Sequence, residues 1–387
     1  MQFYEKGLDE RNMMRKYLVP KFNFGGHFLE YILHIYNYAL TDQDNEYIFV
    51  LSSSYKGRFE GRHNIKVIII PDKELSMYSY YDNEYIKDFL GNKLIRRFVK
   101  QWKPTDVIYI TLIDIQRFLP FFAVKGTKYR GILYYNYLYN WENLSLLRRI
   151  KAIVTHKMLV KTKSVDEILV CNDRIGVRKL NQIYRTNKFL FVPDPYVPVS
   201  VSENIENALK AKVGNRIVFA HIGAMSKRKG TLEILKAITL LTEKVAERCA
   251  FIFCGKTDPL VRNDFYSLLE SCKNSKSIIE INDEFCSYDF IGAVCKIANY
   301  ILMPYQAPYQ SSGMFGFSSQ FNIPVIASSK ALQGYLVKKY QLGYVFDDVN
   351  AASIARFISD IPDCKVDVSP EYIKQNTPEN FALVLLK

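Results

Sequence analysis

The stretch YILMPYQAPYQSSGMFGFSSQFNIPVIAS, residues 300–328, reads as strand, loop, helix and strand in one short run. YILM and PVIA are apolar without alternation, the pattern of strands buried on both faces of a sheet. Strands joined through a helix pair in parallel, because a tight hairpin cannot span the connection. The loop between them ends in Ser311, Ser312 and Gly313, at the mouth of the helix. Unpaired N–H groups there, aided by the helix dipole, suit an anion, and glycine lets the backbone approach it. Serine at that point also serves as ordinary helix capping. The rest of the chain has to separate the two uses.

The same unit recurs outward from this stretch. In the first half, strands are expected at 15–20, 46–52, 66–70, 106–112, 131–135, 167–171 and 188–192. In the second half they are expected at 216–223, 249–255, 277–281, 300–304, 324–328 and 343–346. Helical patterns separate them, which is the signature of doubly wound α/β sheets. The pattern restarts after VPDPYVPVSVSENIENALKAKVGN (192–215), a proline-rich and then polar stretch read as a linker. Two Rossmann-like doubly wound parallel-sheet domains follow, 1–200 and 201–365. A chain of 387 residues is long enough for both.

Composition narrows the class further. Apolar residues make up 49% and no segment is of low complexity, so the chain is globular. No run of about 18 apolar residues indicates a membrane span, and the charged N-terminus lacks the apolar core of a secretory signal. Seven scattered cysteines without a C-x-x-C pair speak against a disulfide framework or a zinc site and for a reducing cytoplasm. The net charge of +13 is concentrated in NKLIRRFVKQWK (92–103) and SLLRRIKAIVTHKMLVKTK (145–163), which interleave bases with apolar residues at helical spacing. That suits peripheral contact with an anionic membrane face. The bases form no single stripe and no nucleic-acid motif accompanies them, so no nucleic-acid partner is expected.

In sheets of this kind ligands bind beyond the carboxyl ends of the strands. Three loops fall there. In HIGAMSKRKGTLE (221–233), Lys229 precedes Gly230 and a helix start, a placement the dipole disfavours unless an anion sits between. In NFGGHFLEY (23–31), Gly25 and Gly26 allow a tight turn and close ligand approach, with His27 beside them. His34 and Asn37 read as a solvent stripe of the helix that follows. The third loop is Ser311–Gly313. DQD (42–44) precedes a strand and reads as turn chemistry instead of a metal site. No G-x-G-x-x-G, G-x-S-x-G or Walker sequence is present.

These passages resemble glycosyltransferases of the GT-B fold, in particular the retaining family 4 group. IGAMSKRKGTLEILKAI places Lys229 at that family's diphosphate-gripping lysine. YILMPYQAPYQSSGMFGFSSQFNIPVIASS resembles its donor-binding block, and GGHFLEY its glycine-rich loop. NTPENFALVLLK resembles the terminal helix that crosses back to the first domain, assigned to 366–387. The resemblance implies two domains facing a central cleft. It also implies transfer of a sugar from a UDP- or GDP-type donor with retention, without cofactor or metal, in cell-surface polysaccharide synthesis. Lys229 and Ser312 would carry the catalytic charge stabilisation. Gly25, Gly26, Lys229, Ser311, Ser312, Gly313 and Met314 would hold the donor, with Glu284 and Phe285 at the base. His27, Asp114 and Tyr137 would meet a glycan or lipid-linked acceptor at the inner membrane face. The family's paired glutamates fall at Tyr309 and Phe317 and its arginine at Ala224. Those departures keep a second reading open, a non-catalytic GT-B-like subunit that binds a nucleotide sugar or a partner enzyme.

Overall fold

A computed structural model of the protein describes residues 14–23, 25, 27–361 and 366–386. Gly26 and Cys364 lie outside the described residues. The chain forms two compact units, Met1–Pro193 with Pro378–Lys387 and Asp194–Thr377.

The first unit is built on seven parallel strands in the order β3-β2-β1-β4-β5-β6-β7. They are β1 (Lys16–Lys21), β2 (Glu46–Ser52), β3 (Ile65–Ile70), β4 (Asp106–Tyr109), β5 (Lys128–Leu133), β6 (Val165–Cys171) and β7 (Phe189–Val192). β1 lies between β2 and β4, with Leu18 opposite Ile48 on one side and Val107 on the other. Strands this apolar must be covered twice, and two clusters of buried side chains lie on the sheet, one led by Tyr17, Val19 and Phe49 and the other by Leu18, Val50 and Ile168. Burying a large side chain completely contributes about 1.5–3 kcal/mol, so these faces carry the unit's stability.

The second unit has six parallel strands in the order β10-β9-β8-β11-β12-β13. They are β8 (Ile217–Ile222), β9 (Cys249–Cys254), β10 (Ile278–Asn282), β11 (Tyr300–Met303), β12 (Val325–Ser328) and β13 (Gly343–Phe346). In both sheets the first strand of the unit is the third across, and the chain reverses its winding beside it, at β1/β4 and β8/β11. A crevice opens at such a switch point, where neighbouring loops leave the sheet in opposite directions.

The chain leaves the first unit at Pro193, at the start of the 192–215 linker and a few residues before a boundary at 200. The reason is a distant partner, Asn376. Its side chain accepts the Asp194 N–H at 3.1 Å and its carbonyl accepts the Tyr196 N–H at 2.9 Å. Residues 366–377 belong with the second unit for the same reason, and the terminal segment of the first unit begins at Pro378. There the helix Pro378–Leu385 packs on the helix Phe28–Thr41, burying Phe381 and Leu385. His34 is therefore buried, edge-on to Phe381, and not part of a solvent stripe; Asn37 is exposed. Asp42 closes a turn, its carboxylate accepting the Asp44 N–H at 3.0 Å and the Asn45 amide at 2.8 Å.

Candidate functional site

Two loops leave the β8/β11 switch point. The first runs from Gly223 to Gly230 and ends on the helix Thr231–Thr239. The second runs from Pro304 to Gly313 and ends on the helix Met314–Phe321. They are fastened together where the Gln306 N–H donates to the Arg228 carbonyl at 2.8 Å.

Of the three adjacent bases, Lys227 and Arg228 are exposed while Lys229 is half-buried. The Lys229 ammonium donates to the Ile222 carbonyl at 3.0 Å. It lies over Gly223, where a Cβ would come within 2.2 Å of Nζ. Gly223 has φ +97°, a left-handed backbone that favours glycine, and a side chain there would push the ammonium aside. Tyr305 is the hub of the site. It is buried, with the Lys229 Nζ and the Arg228 Cζ each 5.6 Å from its ring centroid. Its hydroxyl is 3.3 Å from the Ser312 Oγ. The Ser312 Oγ accepts the Met314 N–H at 3.4 Å, while the Ser312 carbonyl accepts the Phe315 N–H at 3.1 Å. The N-cap itself is Gly313, in a helical conformation and without a side-chain cap bond. Ser312 thus stands one residue ahead of the cap and turns its hydroxyl toward Tyr305. Ser311 and Gly313 are half-buried beside it, and Met314 is buried.

What holds the first loop in place is His221, one residue before the carboxyl end of β8. Its Nδ1–H donates to the Leu302 carbonyl at 3.1 Å, which leaves Nε2 to accept from the Thr231 hydroxyl at 2.8 Å. The Thr231 Oγ in turn accepts the Ser226 N–H at 2.9 Å. The chain of bonds needs a neutral imidazole. Burial, with the Lys229 charge adding to it, pushes the His221 pKa down to about 4. A depressed histidine pKa stabilises the fold fully above the unfolded value near 6.5, and the contribution is lost as pH falls toward 4. His34 acts in the same direction in the first unit, also pushed down to about 4 by burial. We expect His221→Asn, which keeps a donor for Leu302, to flatten the fall in unfolding free energy between pH 6.5 and 4. Denaturant titrations across that range measure it; an unchanged slope would remove His221 as the acid-sensitive group.

The loop Asp283–Cys286 follows β10. Asp283 anchors it by accepting the Thr257 N–H and the Tyr266 hydroxyl, both at 2.6 Å. Glu284 and Phe285 stand exposed at its tip, Phe285 at 86%. A ring so placed offers a free face for stacking.

At the other switch point, between β1 and β4, the first unit has a pocket lined by Lys21, Asn23, Tyr78, Thr111 and Asp114. Lys21 is 4% exposed, its ammonium 3.4 Å from the Asp114 carboxylate and 3.5 Å from the centre of the Phe28 ring. Burial holds the Lys21 pKa below the ordinary lysine value, with Asp114 opposing it. Gly25, at φ +126°, and His27 are exposed in the turn that follows β1. Tyr137 lies elsewhere. It is 5% exposed in the core, its hydroxyl 2.8 Å from that of Tyr184 and its ring against Trp141 and His156. It offers no face to a ligand.

The structure therefore brings Lys229, Ser311, Ser312, Gly313 and Met314 to one switch point and Asp114, Gly25 and His27 to the loops of the other. Sequence reasoning missed Tyr305, His221 and Lys21. Each ends or interrupts an apolar strand at its carboxyl side, and that position was the available signal.

No family profile and no curated protein sequence matches the chain. Solved structures do. The N-terminal domain of trehalose-6-phosphate phosphatase from Candida albicans superposes with a TM-score of 0.71 at 12% identity, over 99% of this chain and 98% of that one. HepE from Anabaena, in complex with UDP and glucose, gives 0.67 at 13% identity, over 96% and 97%. WaaG, a glycosyltransferase involved in lipopolysaccharide biosynthesis, gives 0.66 at 12% identity, over 96% and 99%. The fold is GT-B. The likeness spans nearly the full length of the chain and both of its sheets.

Proposed function

We propose that the protein is a glycosyltransferase, moving a sugar from a nucleoside diphosphate donor to a glycan or lipid-linked acceptor with retention, in cell-surface polysaccharide synthesis. The observation that carries this reading is the half-buried Lys229 ammonium over Gly223, beside the Tyr305–Ser312 hydroxyl pair. The leaving group is a diphosphate, and catalysis must stabilise the charge that develops on it. An ammonium held by the Ile222 carbonyl and hydroxyls at the head of a helix meet that charge without metal and without reorganising. The acceptor attacks from the leaving-group side and its proton passes to the departing diphosphate oxygen, so no protein base is required. Phe285 stacks the base, with Glu284 beside it. The solved relative with UDP bound supports a UDP-type donor.

The acceptor belongs to the first unit, at the Asp114–Lys21 pocket, with His27 and Gly25 in the adjoining turn. A carboxylate beside an ammonium reads sugar hydroxyls as acceptor and donor at once. The test is calorimetric titration with UDP, GDP and ADP, followed by turnover of the matching nucleotide sugars. Binding of one nucleoside diphosphate, with its release from the matching nucleotide sugar as the acceptor is glycosylated, supports transfer. Binding without turnover favours the non-catalytic subunit, and no binding at all overturns the donor site.

Contact with an anionic membrane face is part of the same proposal. The helix Leu146–Lys161 exposes Leu147, Ile150 and Val154 together with Arg148, Lys151 and Lys157. The Lys151 Nζ sits 5.3 Å from the Tyr85 ring centroid, joining this surface to the exposed Tyr85, Ile86 and Phe89. Residues 92–103 differ. They bury Ile95, Phe98 and Val99 and expose Lys93, Arg97, Lys100, Gln101 and Lys103 without a large apolar side chain, and Arg97 pairs with Glu74. Bound apolar side chains contribute about 1.5–3 kcal/mol each. Ile150→Asp is therefore expected to cut co-sedimentation with phosphatidylglycerol vesicles by about tenfold or more. Equal binding of the variant would move the contact off this helix. Among the described residues no helix is long and apolar enough to cross a membrane.

A further inference from the structure

Cys254 closes β9 and is 1% exposed, while Cys286 closes the loop after β10 and is half-buried. Their sulfur atoms are 2.9 Å apart. Two independent restraints fix this approach. The β9/β10 register sets Cys254 opposite Asn282, whose carbonyl accepts the Gly255 N–H at 2.9 Å. The bonds from Thr257 and Tyr266 to Asp283 then hold the returning loop. Cys171, Cys249, Cys272 and Cys295 are buried, so Cys286 is the most accessible thiol among the described residues. The Cys254 S–H donates to the Cys286 sulfur, which holds the Cys286 thiol below its ordinary pKa and raises that of Cys254. The accessible member of the pair is the one readier to be a thiolate, the form that reacts.

We propose that Cys254 and Cys286 are a dithiol modification site that takes hydroperoxides and closes to a disulfide. The Cys286 thiolate attacks the peroxide O–O bond, becomes a sulfenic acid and releases hydroxide, which takes up a proton as water. The Cys254 thiol then attacks the sulfenic sulfur, forming the S–S bond and releasing a second water. Two thiols are oxidised by two electrons and one peroxide is reduced to two waters. The disulfide ties the Glu284–Phe285 loop covalently to the end of β9. That strand end also supplies the Cys254 carbonyl to the Gly223 N–H at 2.7 Å, beside the Lys229 site. The inference stands on the thiol geometry and does not depend on sugar transfer.

The experiment is titration of the full-length native protein with hydrogen peroxide, then alkylation of remaining thiols and peptide mass mapping. The expected product is a Cys254–Cys286 crosslink that forms ahead of oxidation at any other cysteine and is reversed by dithiothreitol. Cys286→Ser should abolish it. Cys254→Ser should leave Cys286 as a sulfenic acid that dimedone captures. If Cys254→Ser does not fold, the Cys286→Ser comparison decides. A native protein that gives no crosslink, or whose first disulfide joins other cysteines, overturns the proposal.

Discussion

Lys229→Ala is expected to weaken binding of UDP or GDP by about 10- to 100-fold, with little change in thermal stability. A hydrogen bond from a charged group contributes about 1.5–3 kcal/mol, and that is the range of affinity at stake. The fold loses less, because Nζ makes its one described bond to the Ile222 carbonyl and the residue is only half-buried. The neighbours serve as controls. Lys227 and Arg228 are exposed, so their alanine variants should change affinity far less than the loss of Lys229. Lys229→Arg should not restore binding, since a planar guanidinium cannot occupy the point over Gly223 that the compact ammonium fills. Calorimetry on the four proteins measures this. Equal effects at all three bases would mean a diffuse positive field instead of a gripping site.

The fold was legible because buried parallel strands leave an unusual trace, continuous apolar runs with glycine or proline at their ends. All thirteen expected strands form among the described residues. Their ends were less legible. The strand expected at 106–112 stops at Tyr109, and the Leu112 N–H then donates to the Ile132 carbonyl. The boundary between units depends on Asn376 reaching back to Asp194 and Tyr196, a pairing far apart in sequence that no local pattern encodes.

Of the candidate site, the two loop ends were legible, because Gly230 and Gly313 each stand directly before a helix start. Tyr305 and His221 were not, because an aromatic or a histidine beside an apolar strand looks like core until its partners are known. Tyr137 shows the reverse error. An aromatic cluster that suits sugar rings by composition is packed inward against Tyr184 and His156.

Gly230→Ala is expected to destabilise the protein by about 3 kcal/mol or more, a loss of a different kind from that at Lys229. Gly230 has φ +72°, and a residue with a side chain held there costs about 1–3 kcal/mol. Space is the second barrier. A Cβ at Gly230 would come within 2.1 Å of the Pro304 carbonyl oxygen, a backbone atom at the end of β11 that no side-chain rotation can move. Either the Gly223–Gly230 loop or the Pro304 turn must shift, and Tyr305 is the next residue in that turn. Nucleotide affinity should therefore fall together with stability in Gly230→Ala, whereas Lys229→Ala separates them. Gly230→Asn divides the two causes. Asparagine tolerates a left-handed backbone but brings the same Cβ, so it should lose nearly as much if crowding against Pro304 dominates. Urea unfolding of the three proteins decides it: a stable Gly230→Asn would assign the cost to the backbone angle, and a stable Gly230→Ala would mean that the two loops are not locked together at this point.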